Sequence, residues 1–216
     1  MNSIQRTGKL TLTPEGALVG DLEETRLGDR AAQQREALRS VAKDVDKIKP
    51  IETLLSYSLA DFKNTHAVVT NAQDTSQPFQ YRYSIVSPGY AKTAGNLLLV
   101  RPRVVGTKSS SILETKEPRR FPLEFDGPAL DTDTFEIALP PGYLVDELPP
   151  AQDLNYSFAS YHSKTEANGN ALRYSRTMEI KELTVPVSKM DELKKFYRVI
   201  AMDERNTAVL RPAASK

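Results

Sequence analysis

Apolar and polar positions alternate from the start of the chain. Ile4 to Leu12 follows a two-residue period around Gly8, and Lys9-Leu10-Thr11-Leu12-Thr13 has the pattern of a half-buried strand. Pro14-Glu15-Gly16 supplies a turn and Ala17 to Leu27 runs on as a second strand, so the opening element is a hairpin. The period then lengthens. After Gly28, with Asp29 as a fair N-cap, Arg30 to about Lys49 sets Ala31, Gln34, Leu38, Val41, Val45 and Ile48 three and four residues apart, which predicts a helix. Pro50 suits the first turn of a second helix carrying Ile51, Leu54, Leu55 and Leu59. Two short helices (about residues 29–60) lying on a sheet is the economical arrangement.

From Thr65 the two-residue period returns. His66–Thr70, Phe79–Ser87 and Asn96–Arg103 are predicted strands, and in Phe79-Gln80-Tyr81-Arg82-Tyr83-Ser84-Ile85 the apolar side chains share one face. The polar run Gly106–Pro118 reads as a domain boundary, and Lys108–Lys116 within it as the place for inter-domain motion. Beyond it, strands are expected at Arg120–Phe125, Thr132–Leu139, Tyr143–Leu148, Asn155–Thr165 and Ala171–Val185. The clusters Asp126-Gly127-Pro128, Pro140-Pro141-Gly142 and Asn168-Gly169-Asn170 separate several of them, the spacing of an antiparallel sandwich. Ser188 can cap a last helix to about Glu204, with Met190, Leu193, Phe196, Tyr197 and Ile200 on one stripe, before a short strand at Ala208–Leu210.

Composition narrows the classes of function. The chain has 216 residues, with 39% hydrophobic and 26% charged positions, ordinary values for a globular protein. Its 29 basic and 28 acidic residues give a net charge of +1, without the basic excess of a duplex nucleic-acid binder. The absence of Cys removes disulfides, thiolate zinc sites, iron–sulfur ligation and a cysteine nucleophile. No apolar run approaches the length of about 20 residues that a membrane-spanning helix needs. Met1–Arg6 lacks the apolar segment of a signal peptide, so an exported parent would carry its targeting signal upstream.

The second half carries a resemblance. Arg119-Arg120-Phe121-Pro122-Leu123-Glu124-Phe125, Asp131-Thr132-Asp133-Thr134 and Ile137-Ala138-Leu139-Pro140-Pro141-Gly142-Tyr143 form one pattern. Leu148-Pro149, the Ser160-Tyr161 strand, Leu172-Arg173-Tyr174-Ser175-Arg176 and the closing helix before Val209-Leu210 continue it. The pattern resembles the C-terminal accessory region of bacterial transglutaminase-like proteins, a domain of unknown function. Gly16, Leu18, Gly20, Gly28, Ala31 and Arg35 resemble the segment that follows the catalytic core there. That core uses Cys, His and Asp, and a chain without Cys inherits none of its chemistry. The resemblance implies a non-catalytic piece of a larger bacterial protein, periplasmic or secreted.

Candidate chemistry among the residues themselves is sparse. The two histidines are His66 and His162; Ser160 or Ser163 beside His162 offers a conceivable nucleophile, but strand neighbours point to opposite faces and no G-x-S-x-G elbow occurs. Phosphate-cradling glycine motifs are absent. Glu124, Asp126, Asp131, Asp133 and Glu136 form an acidic cluster in which Asp126, Asp131 and Asp133 are calcium candidates, against the plainer reading that Asp and Thr here serve turns. Tyr81 and Tyr83 share a face, as do Tyr156 and Phe158. Exposed, they would stack on sugars; buried, they are cross-strand core.

The expectation is a β-rich α+β chain in two antiparallel β-sandwich modules. Residues 1–115 carry the two-helix excursion; residues 116–216 end in the helix at about 188–204. No cofactor and no catalytic residue is implied. The leading function is a scaffolding or partner-binding region whose partner is an upstream catalytic core, an envelope protein or a glycan. A stand-alone glycan- or peptide-binding module and a small hydrolase are the alternatives. The pattern does not mark a binding surface.

Overall fold

The computed structural model describes residues 2–108, 113 and 118–213. Most of the polar run expected to mark a boundary, including all but Lys108 and Leu113 of the stretch nominated for motion, lies outside the described residues.

Strands β1 (Ser3–Leu12) and β2 (Leu18–Leu27) form the expected hairpin. Helix α1 (Asp29–Leu38) follows, and here the reading of one long helix is corrected: α1 stops at Leu38, a 3-10 turn occupies Asp44–Ile48, and α2 (Lys49–Ser56) begins at once. Lys43 is extended, with φ −98° and ψ 131°. The apolar spacing of three and four passes through this break because both pieces present buried residues to the same core, Ala31 and Leu38 from one side and Ile48, Ile51 and Leu55 from the other.

Strands β3 (Lys63–Thr70) and β4 (Phe79–Ser87) come next, then the short β5 (Lys92–Ala94), which the sequence pattern did not suggest, and β6 (Leu97–Val100). β7 (Leu123–Glu124), β8 (Ala129–Ala138) and β9 (Tyr143–Glu147) lead into β10 (Gln152–Asn155) and β11 (Ala159–Asn168). The single strand expected at Asn155–Thr165 is thus two, folded back at residues 156–158. β12 (Ala171–Ile180) and β13 (Thr184–Val185) precede α3 (Met190–Asp203) and β14 (Ala208–Pro212). Ser188 does not cap α3: Lys189 stands at the N-cap with no side-chain bond to the helix, after a 3-10 turn at Val187–Lys189.

The protein is β-rich, with its strands in an eight-stranded sheet, order β10-β11-β12-β8-β1-β2-β4-β3, a four-stranded sheet, β5-β6-β14-β9, and the pair β13-β7. All pairings among the described residues are antiparallel except one. β1 and β8 run parallel from Ser3↔Leu130 to Thr11↔Ala138. That seam joins a strand from the expected first module to one from the second, so the sheet is continuous across the division placed at residue 115. β14 likewise pairs with β6.

Two apolar clusters lie on the inner face of the large sheet. The larger combines Leu10, Leu12, Tyr81, Tyr83, Phe135 and Leu172 with Leu98, Val100 and Leu210 of the four-stranded sheet. The smaller packs the α3 stripe, Leu193, Phe196 and Ile200, on Phe158, Tyr161 and Met178 of β11, β12 and the turn before them.

Candidate functional site

Period-two geometry gives each strand of the large sheet two faces with different fates. On the inner face, positions that match the apolar parity carry charges between the two clusters. Arg6 shares parity with Leu10 and Leu12 on β1; Asp131 and Asp133 share it with Phe135 and Ile137 on β8; Arg176 shares it with Leu172 and Tyr174 on β12. These side chains meet. Arg6 Nε donates to Glu24 of β2 at 2.5 Å and its Nη1 to Asp133 at 3.2 Å. Glu24 also accepts from Arg26 Nε at 2.6 Å. Arg176 donates to Asp133 through Nε at 2.7 Å and through Nη2, and its Nη1 reaches Glu204 just beyond α3 at 3.2 Å. Lys108 pairs with Asp131. Gly106 lies over the network, and its carbonyl accepts from Arg176. With φ +86°, and with a Cβ there set to fall 2.8 Å from Arg6 Nη1 and 3.0 Å from Arg176 Nη2, only glycine lets the backbone come that close.

Burial alone would favour neutral carboxyls here. The guanidiniums of Arg176 and Arg6 and the Lys108 ammonium outweigh it and hold the Asp133 carboxyl below the ordinary carboxylate range. Glu24 is held low in the same way by Arg6 and Arg26. Burial, together with repulsion from Arg6, pushes the Lys108 ammonium down despite Asp131. The network therefore joins buried cations to buried carboxylates, each member held by partners of opposite charge.

This settles the acidic cluster. Asp131 and Asp133 face inward and are ion-paired to lysine and arginine, whereas Asp126 is exposed in a bend after β7. The calcium candidates do not converge, because cations of the chain itself occupy two of them. Glu124 and Glu136 are exposed elsewhere. Among the described residues no group of three His, Asp or Glu side chains is placed to hold a metal ion.

The serines and histidines part in the same manner. Ser163 points inward and donates to Asp203 at 2.8 Å. His162 points outward, where Nδ1 lies 2.9 Å from Asp153 of the neighbouring strand. Ser160 shares the outer face with His162 but donates to Glu179 at 3.4 Å. No serine–histidine hydrogen bond forms at this strand. The aromatic pairs nominated for sugar stacking are in the cores: Tyr81, Tyr83 and Phe158 are buried, and half-buried Tyr156 stacks on Phe158 with centroids 5.2 Å apart.

The outer face is open, and its register shows an order that the linear sequence hides. Directly paired residues run His66–Ser84–Asp21–Lys9–Glu136–Arg173–Glu166 from β3 to β11. Charge alternates along this row from Asp21 onward. The next row, Val68–Arg82–Glu23–Thr7–Thr134–Ser175–Lys164, is joined to it by chain alternation, with Arg82 bonded to Glu23 at 2.9 Å. A hollow of about 770 Å³ lies over the middle of these rows, lined by Lys9, Asp21, His66, Arg82, Glu136 and Arg173 among others. Histidine, serine and aspartate do sit side by side here. The serine is in the middle, however, and donates its hydroxyl proton to Asp21 at 2.5 Å, so the aspartate orients the serine and not the imidazole.

Sequence reasoning missed the buried network and the ladder. The parity of Arg6, Asp133 and Arg176 with apolar neighbours was the available signal for the first. The ladder required the register.

No helix of the described residues is long and apolar enough to cross a membrane. No curated protein and no solved structure matches the chain. Residues 96–210, just over half of the sequence and including the residues from Arg119 onward that carry the resemblance noted above, match the family described as a domain of unknown function with a solved structure, DUF3858. The chain belongs to the DUF3858 family.

Proposed function

We propose that this chain is a non-catalytic accessory region that holds a partner against the open face of its large sheet, as the part downstream of a transglutaminase-like catalytic core in an extracytoplasmic bacterial protein. The observation that carries this reading is the contrast between the ionisable groups. Those that converge are buried and mutually neutralised, while those that are accessible form an ordered ladder whose charge alternates across five strands, from Asp21 to Glu166. Such a ladder selects partners by charge register, a device that serves specificity and encounter more than raw affinity. The shared core of the two larger sheets supports treating them as the layers of a β-sandwich, with the ladder on its outside. The buried placement of Tyr81, Tyr83 and Phe158 favours a polar protein surface over stacked sugar as the partner.

Reading the coding frame upstream of Met1 tests the first half of the proposal: an in-frame Cys-His-Asp core is expected, and a stop codon there ends it. Isothermal titration of that core, produced separately, into the chain tests the second. Lys9→Glu with Arg173→Glu should weaken binding at least tenfold; equal binding by wild type and variant would move the contact off this face. A hydrolase activity abolished by His162→Ala would revive the enzymatic alternative.

A further inference from the structure

A second concavity lies away from the ladder, between α1 and the β3–β4 loop. It measures about 840 Å³, within the range of about 300–1,000 Å³ usual for small-ligand pockets. Its charged lining comes from three elements: Arg26 at the end of β2, Arg35 and Arg39 on and after α1, and Lys47 in the 3-10 turn. Among the described residues Glu36 is the one carboxylate in that lining, and it is engaged with Arg39 in an exposed pair of the kind that contributes little. The nearby Asp74 carboxylate bonds to Ser76.

Two of the cations are held in place by the fold. Arg35 donates to the carbonyls of Asn71, Asp74 and Gln77, which shapes the far wall, and lies 5.9 Å over the Phe79 ring. Arg26 is anchored by Glu24 and by Gln34 at 2.6 Å, over the Tyr81 ring. Positive charge fixed in this way loses little freedom on meeting an anion. Between the cations the floor is apolar, formed by Ala31, Leu38, Val41 and Pro78.

We propose that this cleft is a binding site for a small amphipathic organic anion, an acidic head group (carboxylate, sulfate or phosphate) on an apolar body. The head group meets Arg39 and Lys47 at the rim within the field of Arg26 and Arg35, and the apolar body lies on the Ala31–Val41 floor. The site is independent of the ladder and does not rest on the function proposed above.

Fluorescence titration of the intact chain with 8-anilinonaphthalene-1-sulfonate, and with N-phenyl-1-naphthylamine, which has the same rings without the sulfonate, tests it. The sulfonate should bind at least tenfold more tightly than the neutral amine, with near-UV circular dichroism retained. Arg39→Glu with Lys47→Glu should weaken sulfonate binding at least tenfold, and Ala32→Glu, which places a carboxylate on an exposed lining position without touching either cation, should do the same. Lys195→Glu with Arg198→Glu, an equal change of net charge on the exposed side of α3, should leave it unchanged. Equal affinity for the two probes, or equal losses in the two double variants, would overturn the proposal.

Discussion

The inner and outer faces of the eight-stranded sheet are built from alternate residues of the same strands, and their charges have opposite physical character. On β1, Arg6 is 4% exposed and bonded to two carboxylates, whereas Lys9, three residues on, is exposed in the ladder. On β8, Asp133 is buried between two guanidiniums, and Glu136 faces water. A buried pair has lost its hydration, so removing one member leaves its partner uncompensated; an exposed pair is hydrated and screened, and either member is dispensable. Charge on this sheet is structural on one side and available for recognition on the other, and parity alone decides which.

The largest break in that symmetry should come from Arg176→Ala. It takes from Asp133 the closer of its two guanidiniums and leaves it the 3.2 Å contact with Arg6, and losing one member of a buried pair costs about 3–5 kcal/mol. Urea unfolding should show the drop in midpoint; a change under 1 kcal/mol, roughly that of an exposed pair, would erase the distinction between faces. Gly106→Ala should come next, at about 1–3 kcal/mol, because it forces a positive φ on alanine and presses a methyl group on two guanidiniums.

Acid sharpens the same contrast. Asp133 and Glu24 titrate below their ordinary values of 3.8 and 4.5 in the folded state, so their contribution is fully present above those values and is lost as pH falls through the lower folded ones. Unfolding midpoints measured from pH 6 to pH 2.5 should fall steeply below about pH 4 in the wild type. In Asp133→Asn, which starts less stable, the fall should be shallower. The smallest effect belongs outside. Arg82→Ala, which removes the 2.9 Å bond to Glu23, should change stability by less than about 1 kcal/mol.

Much of the strand pattern was legible because alternation is local. Phe79–Ser87 was read to the residue. The break after α1 was not, since a helical spacing carried across a turn looks the same whether one helix or two supply it. The strand expected at Asn155–Thr165 hid a fold-back because Tyr156 and Phe158 kept the alternating parity through it, packing on Phe196 from the turn. Polarity alone assigns the acidic residues of β8 to turn or calcium chemistry, and parity overrules it. Asp133 two residues from Phe135 was already an inward position, and Arg6 and Arg176 occupied equivalent ones. What no local rule could supply was the pairing of β1 with β8. Both the ladder and the ion network depend on that register.

The parallel seam has a kinetic consequence. Ile4 N–H meets the Asp131 side chain across 127 residues of chain, and every strand from β10 to β8 is joined to every strand from β2 to β3 through this one contact. Closing so long a loop costs conformational entropy before any seam contact can repay it, and contacts of this range slow folding. The hairpin β1–β2 and the set of β8, β12 and β11 can each form before the seam, exposing an unpaired edge on β1 and on β8 until the other arrives. The centre of the finished sheet is then the last place to assemble, and the half-made protein is most vulnerable to aggregation at the strand that ends up best protected.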